Sequence, residues 1–487
     1  MKPLQITQSP SVLLDIGRLP EKYAYEFQML IREFLPFARF CTSEEEADLS
    51  LRIHDQQVLL SREGEQKIQL LSDGTPSLTG DPYKNRIKKA IYELLSELTG
   101  TRLPWGILTG VRPTKIAYAA LDKGSSQEEI VHDLVQDFCL QEDKARLMTM
   151  TARQEKLLLS SHEGHDVSLY VGIPFCPTRC AYCSFVSYDY AKYGQLADAY
   201  VDALIHEIEQ SAPLLSDRHI KSFYMGGGTP TVLSPKQLEK ILHTLDQVFG
   251  CSTFTEMTVE GGRPDTITPE KLKVLTDYGV SRISINPQTL HQKTLDLVGR
   301  RHTVEQIYEA FRMAREAGFK TINMDFIMGL PQETEKEAYE SMQGVLRLKP
   351  ENLTIHTLAI KRSSSLHQEG EGPALVQQGP MIANMLSIAQ DTAFSLGMHP
   401  YYMYRQKNMA GNFENVGYSL PGQECIYNIE IMEERQSVIA FGAGAVSKIY
   451  YPEENRLERV PNVKNVTEYL SRTDEMIERK RKELRHE

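Results

Sequence analysis

Apolar and polar positions along this chain change their rhythm near residue 168. Upstream, Leu49-Leu51-Ile53 and Val58-Leu60 alternate with polar residues, the period of two expected of half-buried strands in a small antiparallel sheet. Residues 81–100 show the other period, with Ile87, Ala90, Ile91, Leu94 and Leu95 on one face of an amphipathic helix. A stretch rich in Ser, His and Gly at 160–166 reads as a linker. From there short apolar runs alternate with helical patterns, and Ser168–Ile173, Ile220–Met225, Glu256–Glu260, Ser281–Ile285, Thr321–Ile327 and Leu353–Ala359 read as six strands. Ser234-Pro235 and Thr268-Pro269 each pair a hydroxyl N-cap with a proline at the first helical position. Thr303-Val-Glu-Gln306 has the capping-box pattern, and Gly279 and Gly318 stand where a left-handed helix cap is wanted before the next strand.

Alternation of this length predicts a parallel sheet with helices outside, curled by right-handed crossovers into a barrel or partial barrel. The chain divides on this reading into an N-terminal α+β domain (1–160), the barrel (161–365) and a C-terminal region (366–487). The last carries a helix near Ile382–Leu396, a Tyr-rich strand at His399–Arg405, a Gly-Ala-Gly-Ala segment at Phe441–Val446 and a charged, solvent-facing helix over Asn465–Glu487. In such a barrel chemistry lives at the C-terminal ends of the strands. The polar and glycine-rich segments fall there: a cysteine-bearing loop, Gly226-Gly-Gly-Thr-Pro230, Glu260, Gln288 and Asp325.

Composition adds bounds. With 41% hydrophobic and 24% charged residues among 487, the chain is an ordinary globular protein with ample core. A formal net charge of −11 argues against a nucleic-acid partner. No apolar run is long enough for stable membrane insertion, and Met1-Lys-Pro-Leu-Gln begins no signal peptide. Seven sparse cysteines point to a reducing, cytoplasmic setting.

Three of those cysteines decide the chemistry. Cys176, Cys180 and Cys183 form a C-x3-C-x2-C run directly after the first barrel strand. Thiolates at that spacing can hold three irons of a cubane and leave the fourth open to a non-protein ligand. A zinc site with His162 or His165 as fourth ligand fits less well, because structural zinc sites pair their ligands as C-x2-C knuckles. The glycine run after the second strand offers backbone N–H groups with no side chain in the way, suited to a carboxylate or a closely approaching ligand. Asp325 sits in a hydrophobic strand, where an acid is costly unless paired. Arg300 could neutralise a carboxylate, or the Arg300-Arg301-His302 cluster could serve a helix end. Cys41, Cys139, Cys251 and Cys425 read as buried thiols, the last with a pocket role open to it; Arg112 and Lys115 could meet an anion, and a loop leading into a helix explains them as well.

The cysteine spacing resembles that of the radical S-adenosylmethionine (SAM) enzymes. Y-x-x-I-P-F-C, G-G-G-T-P, V-E, Q-T, G-R-R-H-T, D-x-I-x-G-L-P and G-A-G-A-x-S, in that order over roughly 168–450, resemble the oxygen-independent coproporphyrinogen III oxidase family. Trp105-Gly-Ile-Leu-Thr-Gly-Val-Arg-Pro-Thr-Lys115 is similar to its HemZ-type branch. The resemblance implies a partial (β/α)6 barrel, a [4Fe-4S] cluster on Cys176, Cys180 and Cys183, and SAM as second cofactor, with the C-terminal region covering the active site. Carried over by motif, the SAM contacts are Tyr170, Tyr182, Gly227, Gly228, Thr229, Glu260, Gln288, Arg300, Asp325 and Ala359. The implied activity is oxidative decarboxylation of coproporphyrinogen III to protoporphyrinogen IX in porphyrin and haem biosynthesis, fed by an external low-potential electron donor. A substrate with four carboxylates asks for cations, and Arg179, Arg263, Arg300, Arg301, Lys361 and Arg362 lie near the strand ends. Three positions depart from the family pattern: Phe185 stands where a fourth cysteine is usual, Gly172 where a histidine is, and Glu260-Gly-Gly-Arg-Pro264 has an insertion. Lack of the fourth cysteine is shared with haem-chaperone relatives, which makes haem binding and transfer the alternative.

Overall fold

The computed structural model describes residues 9–54, 56–71, 78, 81–159, 166–183, 185, 187–359, 378–406 and 409–484. The linker residues 160–165, with His162 and His165, and the cations Lys361 and Arg362 lie outside the described residues. The chain forms two compact units, one of Met1–Lys156 with Gly370–Ala383 and Met403–Glu414, the other of the remainder.

In the first unit a five-stranded sheet runs in the order β2-β1-β3-β4-β5, made of β1 (Ser11–Asp15), β2 (Arg39–Cys41), β3 (Leu49–His54), β4 (Gln57–Arg62) and β5 (Glu65–Leu70). The alternating segments are β3 and β4, an antiparallel pair with Leu51 opposite Leu60. The expected helix is Pro82–Thr99, and it begins where its sequence says it should. Asp81 accepts hydrogen bonds from the Tyr83 and Lys84 amides, Pro82 follows, and Gly100 ends the helix at φ 66°. Ile87, Ala90, Ile91, Leu94 and Leu95 are buried. Trp105 is fully buried, and its Nε1 donates to Glu414 at 2.8 Å. Lys144 Nζ reaches the same carboxylate at 2.7 Å, which ties the 403–414 segment to this unit.

The second unit is built on an eleven-stranded sheet. Six parallel strands lie side by side in chain order: β6 (Asp166–Ile173), β9 (His219–Gly227), β10 (Glu256–Gly262), β11 (Arg282–Gln288), β12 (Thr321–Met328) and β13 (Asn352–Thr357). Between the first two, β7 (Phe175–Cys176) and β8 (Tyr188–Asp189) form a separate short pair. The helices that connect the six carry the expected caps: Ser234 with Gln237, Thr268 with the Lys271 amide, and Thr303 with Gln306. Gly279 and Gly318 adopt φ of 81° and 88°. Beyond β13 the sheet continues through β15 (Asn415–Ser419), antiparallel to β13, to β14 (His399–Tyr404). On the other side β16 (Ser437–Phe441) adds a parallel strand to β6, followed by antiparallel β17 (Val446–Tyr451) and β18 (Arg456–Pro461).

The expectation of a solvent-facing C-terminal helix needs correction. The tail forms two helices, Val466–Ser471 and Thr473–Leu484, and buries Val466, Tyr469, Met476, Ile477 and Lys480. Charge density misled the reading, because Lys480 is itself a core residue, fully buried against Glu207 at 2.5 Å.

Candidate functional site

The six parallel strands are buried along most of their length and half-buried at a few positions in their C-terminal halves, Tyr170, Tyr224, Glu260, Asn286, Asp325 and His356, with Asn323 two residues before Asp325. With a side-chain period of two, these are the residues that look into the barrel lumen. Tyr170 pairs in register with Tyr224, and Gly172 with Gly226, so two Tyr-x-Gly segments run side by side. Tyr427, on helix Ile426–Glu433, completes a stack. Its ring lies 4.6 Å from Tyr224 at 20° and 6.1 Å from Tyr170 at 18°.

The cysteine loop leaves β6 and is held from two sides. On one side the glycine run folds against it: the Gly228 amide donates to Ile173 O at 2.7 Å and the Thr229 amide to Phe175 O at 2.8 Å. Thr229 Oγ1 lies 3.5 Å from Cys176 Sγ. A Cβ on Gly228 would meet Phe175 O at 2.6 Å and Cys176 Sγ at 3.0 Å, so this approach is open to glycine alone. Gly227 sits at φ 108°, which also requires glycine. On the other side the segment 298–300 grips the loop. The Ala181 amide donates to Val298 O, and Arg300 Nη1 lies 3.1 Å from Tyr182 OH and 3.9 Å from Cys180 Sγ. Arg300 is buried and turned inward, with Nη2 donating to Gly262 O and Asn286 O, while Arg301 is exposed. The two arginines therefore part company, and the helix-end reading does not hold for Arg300.

The three thiols are half-buried and unbridged. Burial pushes Cys176 up to about 11 and raises Cys183. Among the described residues no three His, Cys, Asp or Glu side chains converge on one ion. A cubane does not ask for that, since each thiolate holds a different iron. Iron binding to Cys176 and Cys183 would therefore release thiol protons to solvent.

At the strand ends, Glu260 accepts from Tyr224 OH at 2.5 Å. Burial lifts its pKa to about 7, against the lowering effect of the Tyr224 bond, and the charge of Asp325 adds to the rise. Asp325 accepts from Asn323 Nδ2 at 2.7 Å and faces His356 Nε2 at 3.8 Å, the pairing that an acid in an apolar strand requires. Gln288 closes β11 at φ 70° after a register break, is nearly buried, and its Oε1 has no hydrogen-bond partner. A strained residue with an orphaned buried acceptor at a strand end suits a polar ligand. Ala359 follows β13, half-buried at the same end of the sheet. The structure thus gathers Cys176, Gly228 and Thr229 on one side of the loop, and Cys180, Tyr182 and Arg300 on the other. Tyr170, Glu260 and Asp325 line the lumen beside them. Of the other cysteines, Cys251 and Cys425 are buried as expected, whereas Cys41 and Cys139 are only half-buried; Cys425 donates to Glu256 at 3.2 Å.

Sequence reasoning missed Tyr224, His356 and Tyr427. The first two were legible: Tyr224 precedes Gly226 as Tyr170 precedes Gly172, and His356 lies in the sixth strand. Tyr427 comes from a helix some 200 positions later in the chain, and no local pattern announces it.

Comparison with known proteins agrees with this geometry. Residues 170–344 match the Radical SAM superfamily. Over 403 residues the chain is 40% identical to the oxygen-independent coproporphyrinogen-III oxidase-like protein HemZ of Bacillus subtilis, covering 81% of this chain and 80% of that protein. It is 32% identical over 282 residues to the haem chaperone HemW of the same bacterium, covering 57% of this chain and 70% of that protein. Among solved structures, coproporphyrinogen III oxidase (HemN) from Escherichia coli shares the fold with a TM-score of 0.52 at 23% identity, over 67% of this chain and 73% of that one. With its cysteine loop, glycine run and six-stranded partial barrel in one unit, the chain belongs to the radical SAM superfamily and, within it, to the family of oxygen-independent coproporphyrinogen-III oxidase-like proteins.

Proposed function

We propose that this chain is a cytoplasmic radical SAM enzyme that oxidatively decarboxylates two of the four propionates of coproporphyrinogen III to vinyl groups, giving protoporphyrinogen IX. The observation that carries the reading is the pairing of Cys176 Sγ with Thr229 and Gly228, which joins the cysteine loop to the glycine run at the barrel mouth. The residues fit the implied cofactors: three thiols on one loop, a backbone without side chains beside them, and an orphaned Gln288 Oε1. When bound, the cluster and SAM together supply an electron, from an external low-potential donor, and a carbon radical able to abstract hydrogen.

The protein's own residues do the rest. Cys176, Cys180 and Cys183 would hold the cluster. Glu260, ionised by a cationic partner, would hold the amine of SAM, and Thr229 and the 226–228 backbone its carboxylate. Gln288, Arg300, Asp325 and Ala359 would line the remainder of that site. Tyr170, Tyr224 and Tyr427 wall the lumen with aromatic surface and keep water from a reactive carbon centre. Arg300 is already committed to Tyr182 and backbone carbonyls, so the substrate's carboxylates would be met by other cations.

Phe185, exposed to 66% at the place of the family's fourth cysteine, favours a second reading, haem binding and transfer without decarboxylation. The test is anaerobic turnover of the reconstituted protein with SAM, a strong reductant and coproporphyrinogen III. Protoporphyrinogen formed together with 5′-deoxyadenosine supports the first reading. Deoxyadenosine without porphyrin product, with stoichiometric haem binding, overturns it in favour of the second. Loss of SAM cleavage in Cys180→Ala is expected, and full retention would sink the site.

A further inference from the structure

The segment Glu260-Gly-Gly-Arg-Pro264 contains a bulge that has a structural use. The β10–β11 register breaks between Glu260 and Gly262, and Gly262 turns at φ 62°. A bulge of this kind re-aims side chains. Glu260 is left facing the lumen, and Arg263 passes beneath the cysteine loop, only 3% exposed. There Asp265 holds its guanidinium on two atoms, Nε to Oδ1 at 3.1 Å and Nη2 to Oδ2 at 3.2 Å. The remaining Nη1 donates to Thr178 Oγ1 at 2.9 Å. Thr178 stands between the first two cysteines, and its own hydroxyl proton goes to Gly299 O at 2.9 Å. The hydroxyl therefore accepts from one wall of the cysteine loop and donates to the other.

We propose that Arg263 is a positioning residue for the iron–sulfur loop, acting through Thr178 and oriented by Asp265. The inference rests on the proposed cluster at Cys176, Cys180 and Cys183. It assigns to the bulged segment 260–265 the task of holding the Cys176–Cys180 span in shape before and after iron enters. Partners that orient metal ligands at one remove are typically worth ~10- to 100-fold in metal affinity.

The experiment is the rate of iron loss from the reconstituted holoprotein to a ferrous chelator under argon, read beside amide exchange over 176–183 in the iron-free protein. Thr178→Val is nearly isosteric and removes only the hydroxyl. It should release iron ~10-fold faster and exchange the loop amides faster, while Thr178→Ser keeps the parent rates. Arg263→Gln should act in the same direction, and the double variant should be no worse than Arg263→Gln alone, because both break one link. Parent-like iron loss in Thr178→Val overturns the inference. So does full additivity in the double variant, which would mean that the two residues act separately. A parent protein that takes up no iron overturns the cluster reading itself, an outcome distinct from either.

Discussion

The Tyr224 hydroxyl donates to Glu260 Oε1 at 2.5 Å, and the two side chains come from adjacent strands of the barrel. The bond favours the ionised carboxylate, yet burial outweighs it and leaves Glu260 near pH 7. A carboxyl whose folded pKa lies above its unfolded value of 4.5 imposes no penalty below that value, where both states are protonated. Its contribution to stability is lost as pH rises through about 7. Stability of the parent between pH 5 and 8 should therefore fall relative to Glu260→Gln, by about 2 kcal/mol at the upper end. Tyr224→Phe removes the bond that lowers the pKa and should move the transition to higher pH. Chemical denaturation of the parent and both variants at pH 5, 6.5 and 8 reads the effect, and parallel pH profiles for parent and Glu260→Gln would refute it.

Gly228 touches the backbone of the cysteine loop more closely than any side chain permits. Its Cβ would lie 2.6 Å from Phe175 O and 2.9 Å from Ile173 O, both backbone atoms with little freedom to move. Gly228→Ala should force the two loops apart, at a cost of ~1–3 kcal/mol, and reduce iron incorporation sharply. By contrast Gly250→Ala, with nothing within 4 Å, should pay only for its φ of 68° and leave iron content unchanged. Iron per chain after anaerobic reconstitution, with melting temperature as the control, distinguishes the two.

The six strands were legible because each is a short apolar run bounded by helix caps that bind as their residue types require, Ser234 to Gln237 and Thr303 to Gln306 among them. The placement of the candidate residues was legible in the same measure. Cys176, Gly228, Glu260 and Asp325 fall at strand ends, and a parallel barrel brings strand ends together whatever the intervening helices do. What escaped depends on long-range partners. Tyr427 reaches the lumen from a helix beyond the barrel strands, Arg263 reaches Thr178 through a bulge, and Lys480 becomes a core residue because Glu207 is there to receive it. Local periodicity carries no information about any of the three.

Glu256 fixes the placement of Tyr427. Its carboxylate accepts from the Ile426 amide at 2.8 Å and the Tyr427 amide at 3.2 Å, at the start of helix Ile426–Glu433, and pairs with buried Arg282 at 3.5 Å. A carboxylate at a helix N-terminus satisfies donors that have no partner within the helix. Glu256→Gln preserves the shape but leaves Arg282 without its counter-charge, at an expected cost of ~3 kcal/mol. The amides of 426–433 should exchange faster and the near-ultraviolet tyrosine dichroism should weaken as Tyr427 leaves the Tyr224 face. Unchanged exchange in that helix would show that packing alone holds Tyr427.

Glu207 is the anchor of the C-terminal tail. Its two oxygens receive Lys480 Nζ at 2.5 Å, Asn462 Nδ2 at 2.7 Å, Tyr469 OH at 2.6 Å and the Gly442 amide at 2.8 Å. Four donors from the C-terminal region thus converge on one carboxylate of helix Ala197–Ser211, and the Gly442 turn that they pin lies against Gly172 of β6. Lys480→Met removes the only charged donor and leaves a buried carboxylate uncompensated, which should cost ~3–5 kcal/mol. Because the loss is local, its clearest sign is protease cleavage within 473–484 at temperatures where the parent resists, with the β6–β13 core still protected from exchange. Combining Glu207→Gln with Lys480→Met removes both charges and should recover part of that stability. If the double variant were as protease-sensitive as Lys480→Met alone, the hydrogen bonds that the ammonium donates to Glu207 and Asn462, rather than the balance of charge, would be what holds the tail.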